Sequence, residues 1–175
     1  YVPASIMAEP KDVYSFSDLR DWSAATSSLE HPATLAVIGD PVKHSRSPQM
    51  HNPALRSAEI EAEYVRIHLA PEELAEGLSL MKSSGFRGIN VTIPHKGGVF
   101  DAVDSMTEVA RRIGAVNTVV FDGDEMLGHN TDAPGLKRAI REEFSIDLSD
   151  LRVMVIGAGG GAGKAAAVQS AMDHC

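Results

Sequence analysis

Short apolar runs recur along the chain from residue 35 onwards, and most of them end at a glycine or at a cluster of polar residues. Between them, apolar residues return every three or four positions, as Leu74, Leu78 and Met81 do. The first pattern predicts strands and the second predicts helices with one apolar face. The predicted strands cover residues 35–39, 63–69, 87–91, 115–121 and 126–129, and the predicted helices cover 47–58, 71–84, 95–103, 106–112 and 132–144. This alternation predicts an α/β fold with a mostly parallel sheet.

A further unit is predicted to begin near residue 149. Residues 153–156 form an apolar run typical of a buried parallel strand, and a glycine-rich turn and a helix to about residue 171 follow it directly. Glycines let the backbone approach a pyrophosphate closely, and the N-terminus of a helix offers unpaired N–H groups and a partial positive charge. A strand, a glycine turn and a helix in this order predict the start of a Rossmann-type domain that binds a dinucleotide.

The first 31 residues differ in composition from the rest. They contain Pro3, Pro10 and a serine-rich run at 23–28, and they lack the basic and apolar regions of a signal peptide. We interpret 1–31 as a leader or linker, 32–148 as the catalytic domain and 149–175 as the first βα unit of the nucleotide-binding domain.

Composition narrows the class of partner. The net charge of −8 argues against nucleic-acid binding, which requires clustered Lys and Arg. No apolar run approaches the roughly 20 residues of a membrane helix. A single cysteine, Cys175, excludes an internal disulfide and is typical of a reducing compartment, so we expect a cytoplasmic protein. No His, Cys and carboxylate residues have the spacing of a metal site, and we expect no metal.

Polar clusters follow several predicted strands. Pro94 should end the third strand, so Asn90, Thr92 and Lys96 are expected at its C-terminal end, where open α/β sheets bind ligands. Asn117 and Asp132 belong to two further clusters. A lysine and an aspartate framed by hydroxyls and amides suit proton transfer to or from a hydroxylated or carboxylated small molecule.

Plain structural roles compete with these functional ones. Ser47, followed by proline, is a predicted helix N-cap, and Asp132 could simply cap the helix that begins there. Asn117 could satisfy backbone groups at the end of a strand. Glu108 could lie on a solvated helix face.

Several motifs in this order resemble the shikimate dehydrogenase family, over about residues 35–164. Gly39-Asp40-Pro41 followed by His44-Ser45-Arg46-Ser47-Pro48 is similar to the family's first substrate loop, and Asn90-Val91-Thr92-Ile93-Pro94-His95-Lys96 to its catalytic-lysine segment. The segments 114–118 and 130–132 are similar to the next two substrate segments. Residues 157–161 resemble the NADP diphosphate loop, although an extra glycine–alanine pair moves Lys164 one position along.

The resemblance implies a three-layer substrate domain followed by an NADP-binding domain. It also implies the NADPH-dependent, reversible reduction of 3-dehydroshikimate to shikimate, a step of aromatic amino-acid biosynthesis, by a monomer or homodimer. Lys96 and Asp132 would be the catalytic pair. Ser45 and Ser47 would bind the substrate carboxylate. The other implied substrate residues are Asn90, Thr92 and Asn117, and the implied cofactor residues are Gly157, Ala158, Gly159, Gly160, Gly161 and Glu108.

Three alternatives stay open. The chain could belong to a quinate/shikimate dehydrogenase that uses NAD, or to a non-catalytic homologue that regulates the pathway. Residues 1–20 faintly resemble the end of a dehydroquinate dehydratase barrel, as in a fused bifunctional enzyme. We also expect these 175 residues alone to bind shikimate weakly and not to turn it over, because one βα unit cannot build a nucleotide site.

Overall fold

A computed structural model describes residues 11–174, and these form two compact units, one up to His95 and one from Lys96 onwards. The elements of the first unit are β1 (Tyr14–Ser15), α1 (Phe16–Leu19), α2 (Trp22–Ala25), β2 (Ala33–Gly39), α3 (Ser47–Ser57), β3 (Glu63–His68), a 3₁₀ turn (Pro71–Glu73), α4 (Leu74–Ser83) and β4 (Gly88–Val91). The strands lie in the order β1-β3-β2-β4, and every pairing among them is parallel. The α/β class and the parallel sheet predicted from the sequence are confirmed.

Both faces of this sheet are covered. Ala36, Val37 and Ile38 follow one another in β2 and are at most 3% exposed, although successive side chains of a strand point to opposite faces. On one face, Val37 and Tyr64 pack with Leu55 of α3. Burial on both faces explains why the strand predicted at residues 35–39 is a continuous apolar run rather than an alternating one.

Residues 11–31, predicted as part of a leader or linker, pack onto this sheet. β1 pairs with the end of β3, and Tyr14, Leu19 and Trp22 are buried. The Trp22 indole N–H donates to the carbonyl of Ala33 at 3.1 Å, and its ring contacts the Tyr14 ring edge-on. Residues 1–10 lie outside the described residues, and the proposed domain boundaries stay a prediction.

The second unit has a different strand arrangement. Its elements are α5 (Lys96–Ala102), β5 (Ser105–Met106), α6 (Glu108–Ile113), β6 (Thr118–Asp122), β7 (Glu125–His129), α7 (Asp132–Phe144), a 3₁₀ turn (Leu148–Asp150) and α8 (Gly161–Met172). The predicted hairpin is confirmed, because β6 and β7 pair antiparallel around a turn in which Gly123 has a φ of 57°. β5 pairs parallel with β7, so residues 105 and 106 belong to a strand. α6 therefore begins at Glu108 rather than at the predicted residue 106.

The predicted buried strand at residues 153–156 is wrong. This segment is not a strand, and Val153, Met154 and Ile156 are 40%, 85% and 90% exposed. A strand is stabilised by its ladder of hydrogen bonds to a neighbour, and no strand within residues 11–174 pairs with this segment. Its apolar side chains therefore remain largely open to solvent.

Two searches of the described residues gave negative results. No helix between residues 11 and 174 has both the length and the apolar character needed to cross a membrane. In the same part of the chain, no group of three or more His, Cys, Asp or Glu side chains could hold a metal ion.

Candidate active site

Ser45 and Ser47 lie on the loop between β2 and α3, where Ser45 Oγ donates to Ser47 Oγ at 3.0 Å. The loop is held by its own backbone, because the N–H of Ser45 donates to the carbonyl of Val42. The prediction that Ser47 is an N-cap is wrong by one position: Arg46 is the N-cap and Ser47 is the first helical residue. Pro48 occupies the second helical position, and the Ser47 hydroxyl accepts from the Ser45 hydroxyl rather than from a backbone N–H of the helix.

Tyr64, which the sequence analysis did not single out, connects this loop region to β4. Its hydroxyl donates to Asn90 Oδ1 at 2.7 Å, and its ring stacks on His51 with 4.3 Å between the ring centroids. Asn52 bonds both the N–H and the carbonyl of Tyr64. Burial raises the pKa of Tyr64 and lowers that of His51, so both are neutral near pH 7. The hydrogen bond from the Tyr64 hydroxyl to Oδ1 orients the Asn90 side chain.

Thr92 follows β4 and packs against the end of β2. Its N–H donates to the carbonyl of Ile38 at 3.0 Å, and the N–H of Asp40 donates to the carbonyl of Ile93 at 2.9 Å. Gly39 makes this close approach possible, because a Cβ there would lie 2.5 Å from Thr92 Cγ2. The two loops after β2 and β4 therefore fix each other.

In the second unit, Lys96 and Asp132 form an ion pair. Lys96 Nζ lies 2.6 Å from Asp132 Oδ2, and the two side chains are 17% and 29% exposed. Lys96 begins α5, and its carbonyl accepts from the N–H of Val116 at 3.0 Å. Partial burial keeps this pair of opposite charges accessible to a small molecule while limiting its screening by water.

Two asparagines hold Asp132 in place. Asn117 Nδ2 donates to Asp132 Oδ1 at 2.8 Å and to the Thr131 hydroxyl at 2.9 Å. Asn130, which is 4% exposed, accepts from the N–H groups of Asp132 and Ala133. Asp132 is therefore not the helix cap that the sequence allowed, because Thr131 occupies the N-cap position and Asn130 supplies the acceptor. The Asp132 carboxylate remains available to Lys96 and Asn117.

The glycine-rich turn has the features that a diphosphate requires. Gly157 has a φ of 85°, and a Cβ at Gly163 would lie 2.2 Å from the Gly157 carbonyl oxygen. α8 starts after Gly160, and no side chain caps its N-terminus. Side-chain-free backbone and open N–H groups at the start of a helix suit a phosphate anion, so these residues fit a dinucleotide. Gly161 contacts Lys96, since a Cβ there would lie 2.7 Å from Lys96 Cδ.

Glu108, a predicted cofactor residue, is the first residue of α6 and is 70% exposed. It pairs with Arg112 at 3.2 Å, one helical turn away. This placement is that of a solvated helix face, and its contact with a cofactor stays a prediction.

Comparison with known proteins extends these observations. Residues 37–119 match the family described as shikimate dehydrogenase substrate binding domain. A shikimate dehydrogenase (NADP(+)) from Geobacillus sp. (strain WCH70) is 46% identical over 127 residues, which is 73% of this chain and 46% of that protein.

Solved structures agree with this match. The shikimate 5-dehydrogenase from Thermus thermophilus in complex with shikimate is 39% identical, with a TM-score of 0.74 over 80% of this chain and 52% of that chain. The same protein in complex with NADP(H) and shikimate has a TM-score of 0.73 over the same shares of the two chains. The present chain spans about half the length of the relatives it matches. It belongs to the shikimate dehydrogenase family.

Proposed function

We propose that this protein catalyses the NADP-dependent, reversible reduction of 3-dehydroshikimate to shikimate. The reaction adds a hydride to the carbonyl carbon and a proton to the carbonyl oxygen. When bound, NADPH would supply the hydride, and the glycine turn at Gly157 and Gly159–Gly161 with Ala158 would hold its diphosphate. The chain's own residues must therefore bind the substrate and supply the proton.

The pairing of Lys96 with Asp132 is the observation that carries this proposal. A lysine ammonium can stabilise the negative charge that develops on the carbonyl oxygen and then donate a proton to it. In the reverse direction the neutral amine accepts the hydroxyl proton. Asp132 restricts the position of the lysine ammonium through the 2.6 Å contact.

The substrate contacts are assigned to polar side chains of the candidate site. Ser45 and Ser47 are assigned to the carboxylate, because two adjacent hydroxyls can donate to its two oxygens. Asn90 and Thr92 are assigned to the ring hydroxyls together with Asn117. The Thr92 hydroxyl supports this assignment, since it has no hydrogen-bond partner among residues 11–174 and is therefore available to a ligand.

The shikimate complexes of the Thermus thermophilus relative support the choice of substrate, and its NADP(H) complex supports the choice of cofactor. The lone cysteine supports a cytoplasmic location, and a monomer or homodimer is the proposed assembly.

A substrate and cofactor panel tests the proposal. The complete gene product that contains this sequence is assayed with shikimate or quinate, each with NADP or NAD. We expect the highest kcat/KM with shikimate and NADP. Preference for quinate with NAD would replace the proposal by the quinate/shikimate alternative. Shikimate binding without turnover of either substrate would indicate the non-catalytic homologue.

A further inference from the structure

Arg66 is a buried charge that bonds three separate segments of the first unit. It lies in β3 with only 8% of its side chain exposed. Its Nε donates to the carbonyl of Ser45 at 2.7 Å, and its Nη2 donates to Gln49 Oε1 at 2.7 Å. Its Nη1 donates to Asp12 Oδ1 at 2.8 Å. Each nitrogen of the guanidinium therefore has an acceptor within the protein.

We infer that Arg66 is the positioning residue that gives this site its preference for a carboxylate, acting through Ser45. The inference rests on the proposed function, which assigns Ser45 and Ser47 to the substrate carboxylate. By holding the Ser45 carbonyl, Arg66 fixes the loop at the residue whose hydroxyl donates to Ser47. The two hydroxyls are then arranged before the ligand arrives, which lowers the entropic cost of binding it.

The charge of Arg66 acts in the same direction. Asp12, its ion-pair partner, is 65% exposed, so water weakens the neutralisation that Asp12 provides. The guanidinium is buried, and its field is correspondingly less screened. A substrate carboxylate beside Ser45 would experience this positive charge without touching it. Arg66 thus has two effects, a geometric one and an electrostatic one.

Arg66→Lys separates these two effects. Lysine keeps the positive charge, but its ammonium cannot reproduce the planar fork that serves three acceptors in fixed directions. The ligands are shikimate and its primary amide, which has the same shape without the charge, and each is titrated calorimetrically into the 175-residue chain. We expect the Kd for shikimate to rise about tenfold and the Kd for the amide to change less than about twofold, as the loss of one aligned hydrogen bond implies.

Asp12→Asn is the matched control, because it removes the exposed ion-pair partner and leaves the bond from Arg66 to Ser45. Its preference for shikimate over the amide should stay within about twofold of the parent's, since exposed ion pairs contribute little. An Arg66→Lys variant that keeps the parent's preference would overturn the inference that Arg66 acts through Ser45 and would leave the proposed function intact. A parent chain that binds shikimate no better than the amide would overturn the assignment of Ser45 and Ser47, and the inference with it.

A second measurement covers the case in which Arg66→Lys does not fold, which far-UV circular dichroism would show. In the parent chain, the Arg66 Nε–H proton should exchange slowly with water in the NMR spectrum, because it is buried and bonded to Ser45. Its signal should shift on titration with shikimate more than with the amide. An equal response to both ligands would contradict the role assigned to Arg66.

Discussion

At the residue scale, the proposal assigns recognition of the substrate carboxylate to Ser45 and Ser47. Each of the variants Ser45→Ala and Ser47→Ala would lose a hydrogen bond to a charged group, which contributes roughly 1.5–3 kcal/mol. We expect KM for shikimate to rise roughly ten- to hundredfold with little change in kcat, because the bond is present in both the ground state and the transition state.

A surface serine provides the control for this prediction. Ser83 is exposed and its hydroxyl donates to the carbonyl of Leu80 within α4, so Ser83→Ala should leave KM unchanged. The same kinetics with an analogue that lacks the carboxylate complete the test. If Ser45→Ala and Ser47→Ala discriminate against that analogue as strongly as the parent does, the substrate carboxylate is bound by other residues.

His51 should make the stability of the first unit depend on pH. Its burial against Tyr64 lowers its pKa below the ordinary value of about 6.5. The unfolded chain therefore takes up the proton first as the pH falls. Stability is full above the unfolded-state pKa of about 6.5 and decreases as the pH falls from there through the folded-state pKa.

The variant His51→Phe keeps a ring to stack on Tyr64 and removes the titration. Urea unfolding at a series of pH values should show a shallower loss of stability for the variant than for the parent between pH 6.5 and the folded-state pKa. Parallel stability curves for the two proteins would show that His51 is not the group responsible.

At the scale of elements, the N-terminus of α8 depends on close packing with the glycine turn. Alanine is normally favoured over glycine inside a helix by about 0.8–1 kcal/mol. At Gly163, however, a Cβ would lie 2.2 Å from the Gly157 carbonyl oxygen, so Gly163→Ala must displace the turn. We expect a net loss of roughly 1–3 kcal/mol in local stability, seen as faster amide exchange in residues 157–164.

Gly159→Ala is the matched control, because no atom beyond its two chain neighbours lies within 4 Å of its added Cβ. It should leave amide exchange in the turn unchanged. In the complete gene product it should still weaken NADP binding, since the added methyl group would face an approaching diphosphate. Equal amide exchange in the two variants would mean that α8 does not pack on the turn as described.

The segment before β2 is expected to be essential to the stability of the first unit. Trp22 is buried against Tyr14 and Phe86, and it also bonds the Ala33 carbonyl. Trp22→Ala should therefore cost about 3–5 kcal/mol of unfolding free energy in urea. Trp22→Phe keeps a ring and should cost less. A cost below about 1 kcal/mol for the alanine variant would support a loosely attached linker.

These elements also show what the sequence could predict. β2 has a continuous apolar run, β3 and α7 have periodic patterns, and all three were predicted at or near their observed bounds. β1 has two residues, too few for any period to be visible, and its burial arises from pairing with β3. The run at 153–156 has a strand sequence, but a strand also requires a partner, and sequence periodicity does not supply one.

The same limit applies to the site. Asn90, Lys96, Asn117 and Asp132 stood out because unusual polar residues follow apolar runs. The supporting roles of Asn130 and Arg66 were not predicted. Asn130 lies in the polar segment 130–132, but its capping of α7 becomes visible only once the helix is seen to begin at Asp132. Arg66 is a charged residue in the middle of a buried strand, and its role arises from acceptors distant in sequence, such as the Ser45 carbonyl.

At the scale of the whole molecule, we propose that Lys96, held by Asp132, transfers the proton in the interconversion of 3-dehydroshikimate and shikimate. The most direct measurement compares Lys96→Ala with the parent in the complete gene product, using shikimate and NADP. Proton transfer is needed in the transition state more than in the ground state. We expect kcat to fall at least about a hundredfold while the Kd for shikimate changes only about threefold. A Lys96→Ala enzyme with near-parental kcat would contradict this proposal.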